Sequence, residues 1–150
     1  MVNASMVFGF DHDLATVFED TLAWLVNNKV ETVTVHILTP YPGTKLYQRL
    51  RREGRIVDDD WRHYNTAHVV YTPKNMSREE LYNGYIWVYD QFYSFENIWK
   101  RMPQDRDQRL AYLLFNLGYR KFGQTTSKIA RLGFMNSLGK LARRIAYGID

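Results

Sequence analysis

The sequence predicts an α/β unit followed by an all-helical one. Three observations carry this. Two short runs of strand character, Ala4 to Phe10 and Thr32 to Leu38, flank one stretch of helical periodicity. A rigid elbow, Leu38-Thr39-Pro40-Tyr41-Pro42-Gly43-Thr44, follows the second run and opens another helix. From Ser77 onward, apolar residues recur at helical spacing.

Composition bounds the function classes. An apolar content of 45% over 150 residues describes a folded chain with one or two small units. The chain has no cysteine, which excludes disulfides, thiolate metal sites and a protein-ligated iron–sulfur cluster. It shows no secretory signal and no apolar run of membrane-spanning length, so the cytoplasm is the expected location. Its charge is divided unevenly. Residues 1–99 carry 9 Lys/Arg against 13 Asp/Glu, whereas residues 100–150 carry 11 against 3. Such a basic tail suits a phosphate-rich partner, or it is the solvated face of amphipathic helices, which is the simpler reading.

Each element has its own signal. Ala4 to Phe10 is mostly apolar and reads as a buried strand. Asp11 or Asp13 is the expected N-cap of the next helix, whose stripe is Leu14, Val17, Phe18, Leu22, Leu25 and Val26, ending at Asn27-Asn28-Lys29. The second strand alternates cleanly: Val33, Val35 and Ile37 face covering helices, while Thr34 and His36 face the other way. The two strands are thus expected to be parallel, with a right-handed crossover. In the elbow two prolines fix φ and Gly43 permits the turn, after which Thr44 caps a helix that ends at Gly54. His68 to Tyr71 is a short strand stopped by Pro73. Ser77 and Glu80 form a capping box for a helix carrying Leu81, Tyr85, Val88, Tyr89, Phe92, Phe95 and Trp99. A further helix holds Leu110, Leu113, Leu114, Leu117 and Phe122 and closes near Gly123, and a last one runs from about Ser127 to Tyr147.

No catalytic constellation is complete. The acidic run Asp58-Asp59-Asp60 is better read as a solvated turn or helix cap than as a metal site, because consecutive carboxylates rarely converge on one ion. His12 and His36 are placed for one sheet edge and would make an acid/base pair there, against the simpler reading of two structural histidines. The polar inner face bearing Thr34 and His36 suits a wet site better than a packed barrel interior.

Several segments in succession resemble a known family. Val2 to Asp13, with its Phe8-Gly9-Phe10 strand end, is followed by Ile37 to Thr44, Glu53-Gly54-Arg55-Ile56 and Asp60-Trp61. Then come His68-Val69-Val70, Met76-Ser77, Glu79-Glu80-Leu81 and Asn116-Leu117-Gly118-Tyr119-Arg120. This order is similar to the C-terminal part of radical S-adenosylmethionine (radical SAM) enzymes, in the branch that often carries a cobalamin-binding domain. The resemblance implies a βαβα piece of an incomplete TIM-type barrel over residues 1–56, a connector over 57–76 and a mostly helical C-terminal domain over 77–150. It implies that Phe8, Gly9, Phe10, Leu38, Thr39, Pro40 and Tyr41 help enclose the adenosyl group, on the side to which Thr34 and His36 also point.

The departure from the family is as informative. Its members hold an iron–sulfur cluster through three cysteines and cleave S-adenosylmethionine there, and this chain has none. The resemblance therefore implies a fragment or split subunit that is inactive alone. Its partner would be the missing N-terminal barrel half or a companion subunit, with cobalamin a possible cofactor of the full-length enzyme. Two strands cannot close a barrel, so exposed sheet edges and self-association are expected. The competing reading is a basic helical module whose residues 106–147 dock on an anionic membrane or a partner protein. Nucleic acid is disfavoured, since no recognition motif organises the charge.

Overall fold

The computed structural model describes residues 2–131, and the side chains of residues 2–121. Strand β1 (Asn3–Phe8), helix α1 (Val17–Asn27) and strand β2 (Thr32–Ile37) form a βαβ unit with a parallel two-stranded sheet. Helix α2 (Lys45–Arg52) follows the elbow, then a 3-10 turn (Trp61–His63), α3 (Arg78–Phe92), α4 (Phe95–Lys100) and α5 (Arg106–Arg131).

Register explains which residues are buried. Ala4, Met6 and Phe8 lie opposite Val33, Val35 and Ile37, so all six share the face covered by α1 and α3. Asn3, Ser5 and Val7 lie opposite Thr32, Thr34 and His36 on the other face. Phe18 of α1 meets Phe8 edge to face at 4.9 Å and presses on α3 at Gly84, where a Cβ would come within 2.3 Å of its ring. The core continues without a break from Phe8 through Leu50, Val70 and Tyr71 to Val88 and Phe92, so residues from each of the three predicted stretches share it.

The two sheet edges differ. Because Thr32 and Leu38 donate to the carbonyls of Val2 and Phe8, the odd-numbered residues of both strands point their backbone groups away from the pair. On β2 those groups are taken. The Val33 N–H donates to the Tyr93 hydroxyl at 3.2 Å, and that hydroxyl donates to the Val33 carbonyl at 2.9 Å. Tyr89 does the same for Val35 at 2.9 and 3.2 Å, and the Thr66 carbonyl accepts from Ile37 at 2.7 Å. The expectation of two bare edges is therefore corrected: α3 closes the edge of β2. Outward groups of Asn3, Ser5 and Val7 have no backbone partner among the described residues.

Other expectations shift at element ends. β1 stops at Phe8, because Gly9 takes φ +104° and leaves the strand. The N-cap of α1 is Thr16, and Leu14 is exposed; Asp13 instead accepts from the N–H groups of Gly9 and Phe10 and closes the turn after β1. His68 to Tyr71 makes only an isolated antiparallel bridge, Ile56 to Tyr71. The aromatic helix expected to run to Trp99 breaks after Phe92, since Ser94 turns extended and caps α4 through the N–H of Asn97. α5 runs through Gly123, a helix-interior glycine costing only about 1 kcal/mol. Most of the last predicted helix, beyond residue 131, lies outside the described residues.

Arg101, which the sequence did not single out, is fully buried. Its guanidinium donates to the carbonyls of Val30, Glu31 and Phe92 at 2.6–3.0 Å and to Asn116 Oδ1 at 3.3 Å, lying 3.5 Å from the centre of the Phe92 ring. Asn116 returns a bond to the Glu31 carbonyl. The start of β2, the end of α3 and the middle of α5 are thus tied at one point.

Candidate functional site

The open face of the sheet and the carboxyl ends of its strands form the candidate site. In parallel α/β structures this is where loops converge and ligands bind. His36 is the best-defined group there. Its Nδ1 is 3.1 Å from Thr66 Oγ1, and the backbone of Thr66, at φ +65°, receives the next N–H of β2. The ring is thereby oriented, and Nε2 has no partner among the described residues. Thr34 Oγ1 accepts from Asn3 at 3.2 Å, and Ser5 lies opposite Thr34.

Two loops make the rim. After β1, the Gly9 and Phe10 N–H groups are held by Asp13 at 2.8 and 3.0 Å, and the Gly9 carbonyl accepts from the Tyr71 hydroxyl. A side chain at Gly9 would meet that hydroxyl, so only glycine fits. Burial lifts the Tyr71 phenol well above its usual range, keeping it a donor. Phe8 is buried in the core, which leaves only its backbone at the rim; Phe10 is about half exposed. After β2, Leu38 donates to the Phe8 carbonyl, Thr39 Oγ1 donates to the Ile37 carbonyl, Pro40 is buried and Tyr41 is about half exposed. Thr44 caps α2 as expected, accepting from Tyr47 and donating to the Tyr41 carbonyl at 2.6 Å.

Asp11 braces the rim. It accepts from Arg49 at 2.6 Å and Arg55 at 2.9 Å, while its carbonyl accepts from Asn75. Desolvation pushes its carboxyl upward, but the bonds from Arg55 and Arg49 outweigh that and hold it below the usual range.

A second polar group beside β2 went unnoticed in the sequence. Asp58 Oδ2 lies 2.7 Å from His63 Nδ1, and the His63 ring stacks on His68 at 4.9 Å. His68 Nδ1 meets Asn65 Oδ1 at 2.8 Å, and burial, then His63, lowers its basicity. With Arg78 and Tyr82 they line an open cleft of about 330 Å³. Spacing alone gave no signal, because the segment is irregular and its residues meet only when it folds back on β2. Asp60 caps the 3-10 turn, which bears out a cap for the acidic run. His12 is exposed and makes no contact with His36 among the described residues. Among the described residues no three His, Asp or Glu side chains converge to hold a metal ion.

A protein family described as a domain of unknown function, DUF4070, matches residues 44–138. The chain belongs to that family. DUF4070 is found in cobalamin-associated radical SAM enzymes, so the resemblance drawn from the motifs holds. Over 101 residues the DUF4070 chain is 31% identical to a bacteriochlorophyllide d C-12(1)-methyltransferase of Chlorobaculum tepidum, covering 67% of this chain and 22% of that protein. It is 33% identical over 64 residues to a hopanoid C-2 methylase of Rhodopseudomonas palustris, covering 43% and 12%. It is 26% identical over 111 residues to an anaerobic magnesium-protoporphyrin IX monomethyl ester cyclase of Cereibacter sphaeroides, covering 74% and 18%. The chain thus spans about a fifth or less of the length of these relatives. No solved structure matches this DUF4070 chain.

Proposed function

We propose that this chain supplies the late βα units and the helical accessory domain of a radical SAM enzyme that acts on a large, largely apolar carbon framework, with methylation the favoured reaction class. Membership of the DUF4070 family over residues 44–138, together with similarity to proteins named as methyltransferases, a methylase and a cyclase of such frameworks, carries this reading. On it, β1 and β2 are the last strands of an incomplete barrel, and the open polar face looks onto bound S-adenosylmethionine and substrate.

The residues suit that ligand. The exposed rings of Phe10 and Tyr41 offer flat faces for an adenine, while Thr34, Ser5 and His36 Nε2 offer hydrogen bonds to a ribose. When bound, S-adenosylmethionine supplies the adenosyl group from which the radical arises. An iron–sulfur cluster does not fit these residues, for the chain has no thiolate to hold it; in this proposal a cysteine-bearing remainder of the barrel provides those ligands. Cobalamin belongs to the same proposal at the level of the full-length enzyme, and no residue of this chain is assigned to it.

The test is anaerobic reconstitution of the chain alone and of the chain joined to a cysteine-bearing barrel half. Alone it is expected to hold no stoichiometric iron and to release no 5′-deoxyadenosine; joined, it gains both. In the joined protein His36→Ala should weaken S-adenosylmethionine binding by about fivefold, one lost hydrogen bond. Iron and 5′-deoxyadenosine from the chain alone refute the split reading, and unchanged affinity in the variant removes His36 from the site.

A further inference from the structure

We propose that the outward face of α5, with its neighbour α4, docks in the plane of an anionic lipid surface. The inference rests on these helices and stands apart from the enzymatic reading. From Leu110 to Tyr119 no residue is charged, and four large apolar side chains of this stretch are in solvent: Leu110 at 70% exposure, Leu114 at 65%, Phe115 at 51% and Leu117 at 41%. Leu110, Leu114 and Leu117 fall on one stripe of the helix, which Arg106 and Lys121 extend at either end. On α4, Phe95 and Trp99 are 64% and 74% exposed, one turn apart. The Arg120 guanidinium sits 4.2 Å over the Phe95 ring, so this aromatic pair adjoins α5. An exposed apolar stripe with basic residues at both ends, Asp105 and Asp107 flanking the first of them, and exposed aromatics on the neighbouring helix is the pattern of an interfacial helix.

Dimensions and charge choose the occupant. Ten uncharged residues rise about 15 Å, half the thickness of a bilayer core. Among the described residues no helix is long and apolar enough to cross a membrane, so α5 would lie flat. Apart from the buried Arg101, residues 100–150 carry 10 Lys/Arg against 3 Asp/Glu, and each basic group near an anionic leaflet strengthens binding roughly fivefold. A second copy would bring the same positive field against itself, which disfavours dimerisation through this face.

The full 150-residue chain is tested by flotation with vesicles of phosphatidylcholine, and of phosphatidylcholine mixed with phosphatidylglycerol. It should float with the mixed vesicles, be released by high salt, and bind phosphatidylcholine weakly. Leu114→Asp and Leu117→Asp should each weaken partitioning about tenfold or more, with circular dichroism unchanged because both side chains stand in solvent. Failure to float, or equal flotation of the variants, overturns the proposal. So does a dimer that Leu114→Asp dissolves while vesicles go unbound, or loss of flotation when the chain is joined to a longer parent protein, since either shows protein covering the face.

Discussion

Single side chains hold this fold at points where helices and strands alone would slide. Arg101 is buried without a carboxylate partner among the described residues, and its charge is met by carbonyl oxygens and the Phe92 ring. Removing it leaves at least three buried acceptors unmet, so Arg101→Ala should cost roughly 3–5 kcal/mol in urea unfolding. Lysine should not rescue it, because one ammonium cannot reach Val30, Phe92 and Asn116 together. Asp11 acts at the other end of the molecule, and its contribution depends on pH. Its folded carboxyl is more acidic than the unfolded one, so its stabilisation is complete above the ordinary carboxylate range. It fades as pH falls through the folded value. Asp11→Asn should therefore lower stability by about 1–2 kcal/mol at neutral pH and flatten the acid limb of the stability curve. An acid limb as steep in the variant as in the parent would assign that slope to other carboxylates.

At the level of elements, α3 does more than cover the sheet. Its tyrosine hydroxyls act as both acceptor and donor to β2, standing where another strand would lie. Burial raises the Tyr93 phenol to about 12, so this bridge keeps its proton throughout the neutral range. Tyr93→Phe leaves one N–H and one carbonyl unmet and should cost about 1–3 kcal/mol, with a smaller loss for Tyr89→Phe, whose ring is less buried. Equal stability of Tyr93→Phe would mean that water replaces the hydroxyl. What the sequence revealed and what it hid divide along the same line. The alternation of β2, the Thr44 cap and the Ser77–Glu80 box were legible, because each is a local pattern with its own chemistry. The α3–α4 break was not, because Ser94 is an ordinary helix-surface residue until its cap competes with the helix. The Tyr–β2 bridges and the Asp58–His63–His68 group were hidden too, since their partners lie on different segments or meet through an irregular one. Of the candidate site, the polar side of β2 and the elbow were readable, whereas the tie from Thr66 to His36 was not.

For the molecule as a whole, the sheet is finished on one side and open on the other. Among the described residues the open side is β1, where Val7 is 38% exposed beside backbone groups with no partner there. The isolated chain should self-associate through this strand, and Val7→Lys should suppress it; light scattering across concentrations, with and without a barrel N-terminal half, measures both. Scattering that is independent of concentration in the parent would mean that β1 does not recruit strands. The same asymmetry sets how the backbone trades protons with solvent. Amides of Val33, Val35 and Ile37 are each locked to a tyrosine or threonine oxygen, so they exchange only when α3 or the 63–68 segment lifts away. Amides of Asn3, Ser5 and Val7 face outward without a backbone partner among the described residues, and they should exchange at nearly the rate of an unstructured peptide until a neighbouring strand arrives. Deuterium uptake at those three positions is thus a clock for assembly: its slowing marks the moment the sheet gains its next strand, whatever supplies it.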